Sequence, residues 1–521
     1  MQELSTGRVI IVGAGLGALY AALKLAPRPV LMISPEVLGQ GASSAWAQGG
    51  VAAAMDPADS AQAHARDTLR AGAGTVDPAI AELVTAEART HILDLTALGT
   101  PFDRNADGGY VLSREAAHSF ARVVRVRGDQ AGAEIMRALV AMVRETPSVQ
   151  VLEGVMATGL RVEGGAVVGV DVTLSGPQGS APLLIRAPAV LLAGGGSGGL
   201  YALTTNPPRI RGQVIGMAAR AGAAIADAEF VQFHPTAIDC GEDPAPLATE
   251  ALRGEGAHLV NRLGERFMLA VHPDAELAPR DVVARAIYAQ TQAGLRPMLD
   301  TRACLGARIL TEFPAVAGAC ARAGIDPTRE QIPVAAAAHY HMGGVAVDAE
   351  GRSDLDRLWV CGEASSTGLH GANRLASNGL LEALVFARRC ALSIAARLEP
   401  GQEAAPVTLP DLLPGPVPDP VLVARLRRAM TEGAGVLRDA AGLRRCLREI
   451  AAIEAAQPDC PALLNMTATA SLIAAAALMR QESRGAHCRT DFPDTAPEGR
   501  RSRITLADAL ALRASLEPET I

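Results

Sequence analysis

Four side chains that lie far apart in the sequence are of the types that bind two carboxylate groups. His234, Thr249 and His339 each offer a hydrogen-bond donor, and Arg374 can donate two parallel bonds to one carboxylate. Together they are the minimum set of donors for a dicarboxylate. Each also has an ordinary interpretation, since a lone histidine is more often a satisfied core or surface residue, and an arginine after an asparagine commonly solvates a loop.

A glycine-rich turn near the N-terminus has the spacing of a dinucleotide site. Gly13-x-Gly15-x-x-Ala18 follows a β-branched run at residues 8–12 and opens a helix predicted at residues 19–25. Small residues there let backbone amides and a helix N-terminus approach a pyrophosphate. The alternative is a strand-to-helix turn without a ligand. The acid that NAD-binding folds place about 20 residues further on is replaced by Ser34, which weakens the NAD interpretation.

The elements that must position these residues alternate between strand and helix in the first half of the chain. Strand patterns occur at residues 30–33, 149–152, 167–170, 189–193 and 357–361, and helical patterns at 61–98, 379–396, 421–456 and 466–482. The strand pattern fades over residues 240–335, where helical stretches around 280–292 and 303–323 predict an inserted domain. A Pro-rich stretch at residues 399–420 predicts a linker.

Composition limits the class of protein. With 521 residues, a net charge of −7 and 49% hydrophobic residues, the chain is long enough for about three domains and offers no basic surface for nucleic acid. The eight cysteines form no C-x-x-C pair, so we expect reduced core thiols and no metal site.

Targeting signals are weak. Glu3 precedes the first basic residue, and glycines interrupt the apolar stretch at residues 9–23, which disfavours a secretory signal. Elsewhere no run reaches the roughly 18 consecutive apolar residues of a membrane span, and residues 468–479 are too short. We therefore expect no membrane partner and a cytoplasmic location.

The chain resembles the flavoprotein family of succinate dehydrogenase and fumarate reductase, which also includes aspartate-oxidising enzymes. The resemblance covers about residues 8–395, and residues 479–487 with 491–493 resemble the family's terminal helical domain. The shared blocks are residues 47–50 (AQGG), 114–119 (REAAHS), 229–236 (EFVQFHPT), 249–256 (TEALRGEG), 277–281 (LAPRD), 338–340 (AHY), 343–345 (GGV) and 362–378 (GEASSTGLHGANRLASN).

The resemblance implies an α/β fold with a Rossmann-like, two-part FAD-binding domain, an inserted α+β capping domain and a C-terminal helical bundle. The predicted divisions are residues 1–230 and 340–400 for the FAD-binding domain, 231–339 for the capping domain, 401–420 for the linker and 421–521 for the helical domain.

FAD is the implied cofactor. Ser43 stands where succinate dehydrogenases carry the histidine that binds flavin covalently, so the resemblance implies non-covalent FAD. Gln213 replaces a family aspartate and Gly379 a family serine. The implied contact residues are Gly13, Ala14, Gly15, Leu16, Gly17, Ser34, Ser43, Ser44, Ala47, Gln48, Gly49, Gly50, Gln213, Glu363, Gly379 and Leu380.

The resemblance also assigns the substrate residues. Glu115 stands where aspartate-oxidising members carry a glutamate that could pair with an α-ammonium group. Arg280 matches the family's active-site arginine, although it could simply form an ion pair with Asp281. The full implied set is Glu115, His234, Thr249, Glu250, Arg253, Arg280, His339 and Arg374, of which Glu250 and Arg253 resemble a supporting proton path. Ala116 and Ala117 replace the family's double glycine.

The implied activity is FAD-dependent oxidation of L-aspartate to iminoaspartate, the first step of de novo NAD synthesis. Oxygen or fumarate would reoxidise the flavin, and the product implies functional coupling to quinolinate synthase. Three alternatives stay open: a soluble fumarate reductase or succinate dehydrogenase, the flavin subunit of a membrane electron-transfer complex with an iron-sulfur partner, and a flavin-binding protein that has lost catalysis.

Overall fold

The computed structural model describes residues 2–176, 179–399 and 403–516. Residues 401 and 402 of the predicted linker and residues 517–521 of the predicted helical domain lie outside the described residues. The helices are α1 (Leu16–Leu25), α2 (Ala61–Ala71), α3 (Pro78–Ala97), α4 (Ala131–Arg144), α5 (Gln213–Arg220), α6 (Ala251–Gly254), α7 (Arg280–Gln292), α8 (Ile309–Glu312), α9 (Pro314–Arg322), α10 (Asn378–Arg397), α11 (Pro420–Gly433), α12 (Ala440–Ala456), α13 (Pro461–Met479) and α14 (Leu506–Ala514).

The strands fall into several small sheets. They are β1 (Gln2–Ser5), β2 (Val9–Val12), β3 (Val30–Ser34), β4 (Val51–Ala52), β5 (Leu112–Ser113), β6 (Val123–Val124), β7 (Val149–Glu153), β8 (Val155–Glu163), β9 (Ala166–Leu174), β10 (Leu183–Arg186), β11 (Val190–Leu192), β12 (Ile225–Ala226), β13 (Val231–Ile238), β14 (His258–Val260), β15 (Met298–Asp300), β16 (Ile332–His341), β17 (Gly344–Ala346), β18 (Leu358–Val360), β19 (Ser365–Ser366) and β20 (Arg503–Ile504).

A five-stranded parallel sheet forms the centre of the molecule, in the order β18-β11-β2-β3-β7. Its central strands are β-branched and aliphatic runs that are buried on both faces, as expected of a parallel sheet covered by helices. This confirms the predicted α/β class and the βαβ opening. Helix α1 begins at Leu16, three residues before the predicted start at Leu19.

The inserted region has a sheet of its own, which corrects the prediction that strand structure fades there. Strands β13, β16, β15 and β14 form an antiparallel sheet beside α7, with a separate hydrophobic core that includes Leu259, Ile287 and Phe313. Strands β14 and β15 have only three residues each, which is too short for a period-two pattern. The α+β character of the capping region is confirmed.

One carboxylate joins the capping region to the rest of the molecule. Asp129, just before α4, accepts hydrogen bonds from the backbone N–H groups of Ala315 and Val316 at 3.0 and 3.2 Å. These groups open α9, so Asp129 supplies the acceptor that an N-cap side chain would otherwise provide.

The C-terminal helices α11 to α14 pack against one another and share a hydrophobic core with one face of the central sheet. Residues 403–419 contain no helix or strand, and Ala405, Val407 and Leu413 are tied by hydrogen bonds to the neighbouring sheets. The predicted division of the chain into domains stays a prediction, and its boundary at residue 339 falls within β16.

Among the described residues, one helix is long and apolar enough to cross a membrane by length and composition. It is α13, in contrast to the expectation that this region is too short, and 83% of its most apolar window is buried in the protein. Its polar residues are satisfied inside the core: Asn465 donates to the Thr158 carbonyl at 3.1 Å and Thr469 to the Gly212 carbonyl at 2.7 Å.

Candidate active site

A cavity of about 820 Å³ lies at the carboxyl ends of β2, β3, β11 and β18, which is where parallel α/β sheets bind ligands. Gly49 and Gly50 do not line it. The other predicted cofactor residues do: Gly13, Ala14, Gly15, Leu16, Gly17, Ser34, Ser43, Ser44, Ala47, Gln48, Gln213, Glu363, Gly379 and Leu380.

The glycine turn leaves no room for side chains. A Cβ on Gly13, whose φ is +121°, would lie 2.3 Å from the Ala193 carbonyl oxygen. A Cβ on Gly50 would lie equally close to the Val124 carbonyl oxygen, so that glycine is required by backbone packing. The turn at Gly13 delivers the N-terminus of α1 to the cavity, a favourable place for a pyrophosphate, and the Ser44 hydroxyl accepts the Leu16 N–H there at 3.1 Å.

The two predicted ribose contacts lie at the carboxyl ends of strands: Ser34 is the last residue of β3, and Glu363 follows β18. Ser34 donates to the Glu36 carbonyl at 2.7 Å. Glu363 accepts the backbone N–H of His341 at 2.9 Å, and burial raises the pKa of its carboxyl to about 7. Both side chains reach the cavity from the sheet edge, where ribose or ribityl hydroxyls are hydrogen-bonded in such folds.

Gln213 lines the cavity but hydrogen-bonds away from it. Its amide donates to the Ala462 carbonyl at 2.9 Å and its amide oxygen accepts from Asn465 at 3.3 Å. Both partners belong to α13, so Gln213 ties the cavity wall to the C-terminal helices.

A β-bulge brings His234 and His339 together. Gln232 pairs with Tyr340 and Phe233 with Ala338, so His339 is the extra residue on β16. Bulges of this kind re-aim a side chain. The two imidazole rings lie 4.9 Å apart, centroid to centroid, and His339 lines the cavity.

His234 presents an unused donor. The backbone N–H of Thr236 donates to its Nδ1 at 3.2 Å, so the ring proton lies on Nε2, which is buried without a partner. Burial, with Arg280 and His339 nearby, holds the pKa of His234 well below its ordinary value. A neutral, buried N–H without an acceptor is suited to bind a substrate carboxylate.

Arg374 lines the cavity as the second donor. Its guanidinium lies 4.5 Å from the centre of the Tyr340 ring, and its Nε is buried without a hydrogen-bond partner. Burial, followed by the charge of Arg280, lowers its pKa to about 10. Arg374 therefore stays cationic at neutral pH, with a free donor.

Glu115 is a buried carboxylate among these donors. Its Oε2 accepts from the Ser377 hydroxyl at 2.9 Å, and a Cβ on Gly49 would lie 2.5 Å from its Oε1. Burial and the neighbouring Glu250 raise the pKa of Glu115 to about 7, although Arg280 opposes them.

Next to Glu115 lies a buried cluster of alternating charges, formed by Arg280, Glu250 and Arg253. Glu250 forms an ion pair with Arg280 and lies 3.4 Å from Arg253, while its Oε1 accepts the Ala116 N–H at 3.0 Å. Burial opposes ionisation of Glu250, but Arg280 and Arg253 outweigh it and lower its pKa. Thr249 is buried beside Glu250 at the start of α6. Of the predicted substrate residues, His339 and Arg374 line the cavity. The remaining six do not line it, but His234 is in ring contact with His339, and Glu115 lies in the electrostatic field of Arg374.

Sequence reasoning missed two residues of this cluster, Gln232 and Ser377. Gln232 accepts from Arg280 at 3.1 Å and donates to the Arg374 carbonyl at 2.9 Å. Gln232 is two residues before His234 on a strand, and residues at that spacing point to the same face of a sheet, so the sequence did contain a clue to its position. Ser377 before α10 had the pattern of an ordinary helix cap, and nothing in the sequence linked it to Glu115.

Two family profiles match the chain, one over its first three quarters and one near its C-terminus. One described as FAD binding domain matches residues 8–380, and one described as Fumarate reductase flavoprotein C-term matches residues 458–517. A chain of E. coli quinol fumarate reductase is 27% identical, with a TM-score of 0.84 over 95% of this chain and 93% of its own. The fold and the glycine-lined cavity thus define a flavoprotein with an FAD-binding domain, a capping domain and a C-terminal helical region.

Curated relatives narrow the class. The L-aspartate oxidase of Caulobacter vibrioides is 55% identical over 504 residues, which are 95% of this chain and 96% of the relative. That of Agrobacterium fabrum is 46% identical over 503 residues, or 96% and 94% of the two chains. The chain belongs to the L-aspartate oxidase family, which confirms the branch predicted from Glu115.

Proposed function

We infer that the protein oxidises L-aspartate to iminoaspartate with bound FAD, as the first step of NAD biosynthesis. The observation that carries this function is the buried Glu115 carboxylate, which lies close enough to Arg374 for their charges to interact, while Arg374 and His339 line the cavity. Succinate and fumarate have no ammonium group to pair with that carboxylate, whereas aspartate has one.

The donors hold the two substrate carboxylates. Arg374 offers bidentate bonds, and His234, His339 and Thr249 offer single ones. In such a pose the α-ammonium faces Glu115. Since an ammonium group has no lone pair, the amine must lose a proton before hydride can leave the α-carbon. Glu115, with a pKa near neutrality, is the nearby acceptor for that proton.

When bound, FAD supplies the two-electron acceptor for the hydride. The chain's part is to hold the substrate and exclude water, because the cluster is buried between the capping sheet and α10. The buried pair of Arg280 and Glu250 provides a proton path to the substrate carbon, which serves fumarate reduction as a second activity.

We further propose that FAD is held without a covalent bond. Ser43, at the position of the family's flavin-linking histidine, donates to Asn206 at 3.3 Å and offers no nucleophilic nitrogen. Oxygen or fumarate would reoxidise the flavin. Because an imine hydrolyses readily in water, we expect functional coupling to quinolinate synthase in the cytoplasm.

Anaerobic visible spectra of the purified protein test this function. We expect L-aspartate to bleach the flavin while succinate and D-aspartate do not, and acid precipitation to release the flavin. Arg374→Lys should abolish bleaching because lysine cannot bind a carboxylate bidentately. Arg388→Lys is the matched control, since Arg388 lies on α10, which begins four residues after Arg374, and its side chain is 41% exposed. Bleaching by succinate alone would instead assign the protein to the dicarboxylate reductases.

A further inference from the structure

The face of an aromatic ring supports the Arg374 side chain. Among the residues that the structure describes, the Arg374 guanidinium makes no hydrogen bond and no ion pair, and its Nε is buried without a partner. Its guanidinium carbon lies 4.5 Å from the centre of the Tyr340 ring. A cation over a ring face is attracted by the quadrupole of the ring. Because this contact uses none of the five N–H donors, they stay available to a ligand.

The Tyr340 ring is itself anchored by a buried carboxylate. Its hydroxyl donates to Glu382 Oε2 at 3.1 Å. His370 Nε2 donates to the same oxygen at 2.9 Å, since an ionised carboxylate only accepts, and Thr367 donates to Oε1 at 2.5 Å. Burial raises the pKa of the Tyr340 phenol well above its ordinary value, so the hydroxyl keeps its proton. Three donors thus fix one carboxylate, and that carboxylate fixes the ring.

Packing also restricts the Tyr340 ring, which is only 9% exposed. The His370 ring meets it edge-on, with 5.1 Å between the ring centres and 87° between the planes. A Cβ on Gly379 would lie 2.9 Å from a carbon of the Tyr340 ring, so the ring leaves no space for a side chain there. The orientation of the ring is therefore set by α10 and His370, and it sets that of Arg374.

We propose that Tyr340 is a positioning residue: anchored to Glu382, its ring fixes the plane of the Arg374 guanidinium and so sets the affinity of the site for a carboxylate. This inference rests on the proposed function, in which Arg374 binds a substrate carboxylate. Arg280 shows the contrast, because it donates to Glu250 and Gln232 and has spent donors on the protein. An arginine held by a ring face keeps its parallel N–H groups for a bidentate ligand.

Two substitutions separate the ring face from the hydroxyl. Tyr340→Leu keeps apolar bulk and removes the face, whereas Tyr340→Phe keeps the face and removes only the bond to Glu382. The measurements are the Kd for succinate, from the change it causes in the visible spectrum of the FAD-saturated enzyme, and kcat and KM for L-aspartate.

We expect a graded loss of affinity. The Kd for succinate and KM for L-aspartate should rise about tenfold in Tyr340→Leu and about threefold in Tyr340→Phe, because a loosely held arginine must be ordered when the ligand binds. The value of kcat should stay within about twofold, since the change removes binding that is common to the ground state and the transition state.

Tyr110→Leu is the matched control. Tyr110 also lies under an arginine, with the Arg104 guanidinium carbon 3.6 Å from its ring centre, and its hydroxyl is hydrogen-bonded to Thr96 at 2.7 Å. Tyr110 does not line the cavity, so its replacement should leave the Kd for succinate within about twofold. Because Tyr340 does line the cavity, the Kd for FAD is measured for each variant and every assay is run at saturating FAD.

Three results would overturn the inference alone. They are a Kd for succinate within about twofold of the wild type in Tyr340→Leu, an equal loss in Tyr340→Phe and Tyr340→Leu, and a fall in kcat at unchanged Kd. Should Tyr340→Leu fail to fold, Tyr340→Phe and Glu382→Gln decide the question, since both keep the ring face and weaken its anchor. Unchanged succinate binding in these two variants would contradict the role of Tyr340.

Failure of the proposed function has a different signature. If L-aspartate does not bleach the wild-type flavin but succinate binds, the proposed oxidation is wrong, and the Kd for succinate in the variants still tests Tyr340. If the wild type is neither bleached by L-aspartate nor able to bind succinate, the dicarboxylate site is wrong and the role of Tyr340 is lost with it.

Discussion

We expect Glu115 to make aspartate oxidation depend on pH. Its pKa is raised to about 7, mainly by burial, so the neutral acid predominates below that pH and cannot pair with ammonium. We expect kcat/KM for L-aspartate to fall about tenfold per unit below pH 7 and to level off above it. Steady-state assays at constant ionic strength measure this.

Glu115→Gln should remove that acid limb and lower kcat/KM for L-aspartate about a hundredfold, equivalent to about 3 kcal/mol for a lost charged hydrogen bond. Fumarate reduction should be nearly retained. An equal loss of both activities would show that Glu115 serves the site as a whole and not the amino group.

Ala117 has a strained backbone. Its φ is +63°, which costs about 1–2 kcal/mol for a residue with a Cβ. Ala117→Gly removes this strain. The substitution also makes the unfolded chain more flexible, which lowers the free energy of unfolding by about 0.4–1 kcal/mol. We expect a gain of about 0.5–1 kcal/mol, seen as a higher Tm at fixed FAD concentration.

Ala116→Gly is the control for that loop. Ala116 is buried and has no left-handed backbone, so removing its methyl group should lower Tm. A decrease in both variants would contradict the assignment of strain to Ala117.

At the scale of elements, two helical glycines should respond in opposite ways to alanine. A Cβ on Gly216 of α5 would lie 2.0 Å from the Asn465 carbonyl oxygen of α13, whereas on Gly318 of α9 the nearest atom is 3.9 Å away. We expect Gly216→Ala to cost about 3 kcal/mol through overpacking against backbone, and Gly318→Ala to gain about 1 kcal/mol. Thermal melting of both variants tests these two predicted changes in stability. Equal effects of the two substitutions would mean that α5 and α13 are not in close contact.

Elements were predictable where local pattern and burial agree. The runs before Gly13 and around residue 190 are short, apolar and β-branched, and they form β2 and β11 as predicted. Strand β16 was missed because its alanine-rich run carries neither alternation nor β-branched residues over most of its length. Its bulge at His339 depends on pairing with β13, which no local pattern records.

The site was predictable to the extent that single residues carry the chemistry. His234, His339, Arg374 and Glu115 were predicted, and the structure gathers them. What could not be predicted is which groups hold them. His118 and Ser377 act through hydrogen bonds across more than 250 residues, and such partners emerge only from the folded topology.

At the scale of the whole molecule, non-covalent FAD should make stability depend on FAD concentration. A ligand that binds only the folded state adds about 1.4 kcal/mol for each tenfold rise above its Kd. We therefore expect Tm to climb with added FAD. Riboflavin is the control, since it lacks the pyrophosphate that the turn at Gly13 would hold. A Tm independent of added FAD, with flavin retained after acid treatment, would indicate a covalent bond.

The order of strands in the central sheet has a consequence for biosynthesis. Strands β11 and β18 are parallel neighbours, yet the capping sheet is inserted between them in the chain. One wall of the cavity, at Gly13, is made early, and the opposite wall, at Glu363 and Gly379, is made only after the capping region. Since chains fold from the N-terminus during synthesis, a ribosome-bound chain has an open sheet edge at β11 until β18 emerges. We therefore expect FAD to bind only after β18 has been synthesised.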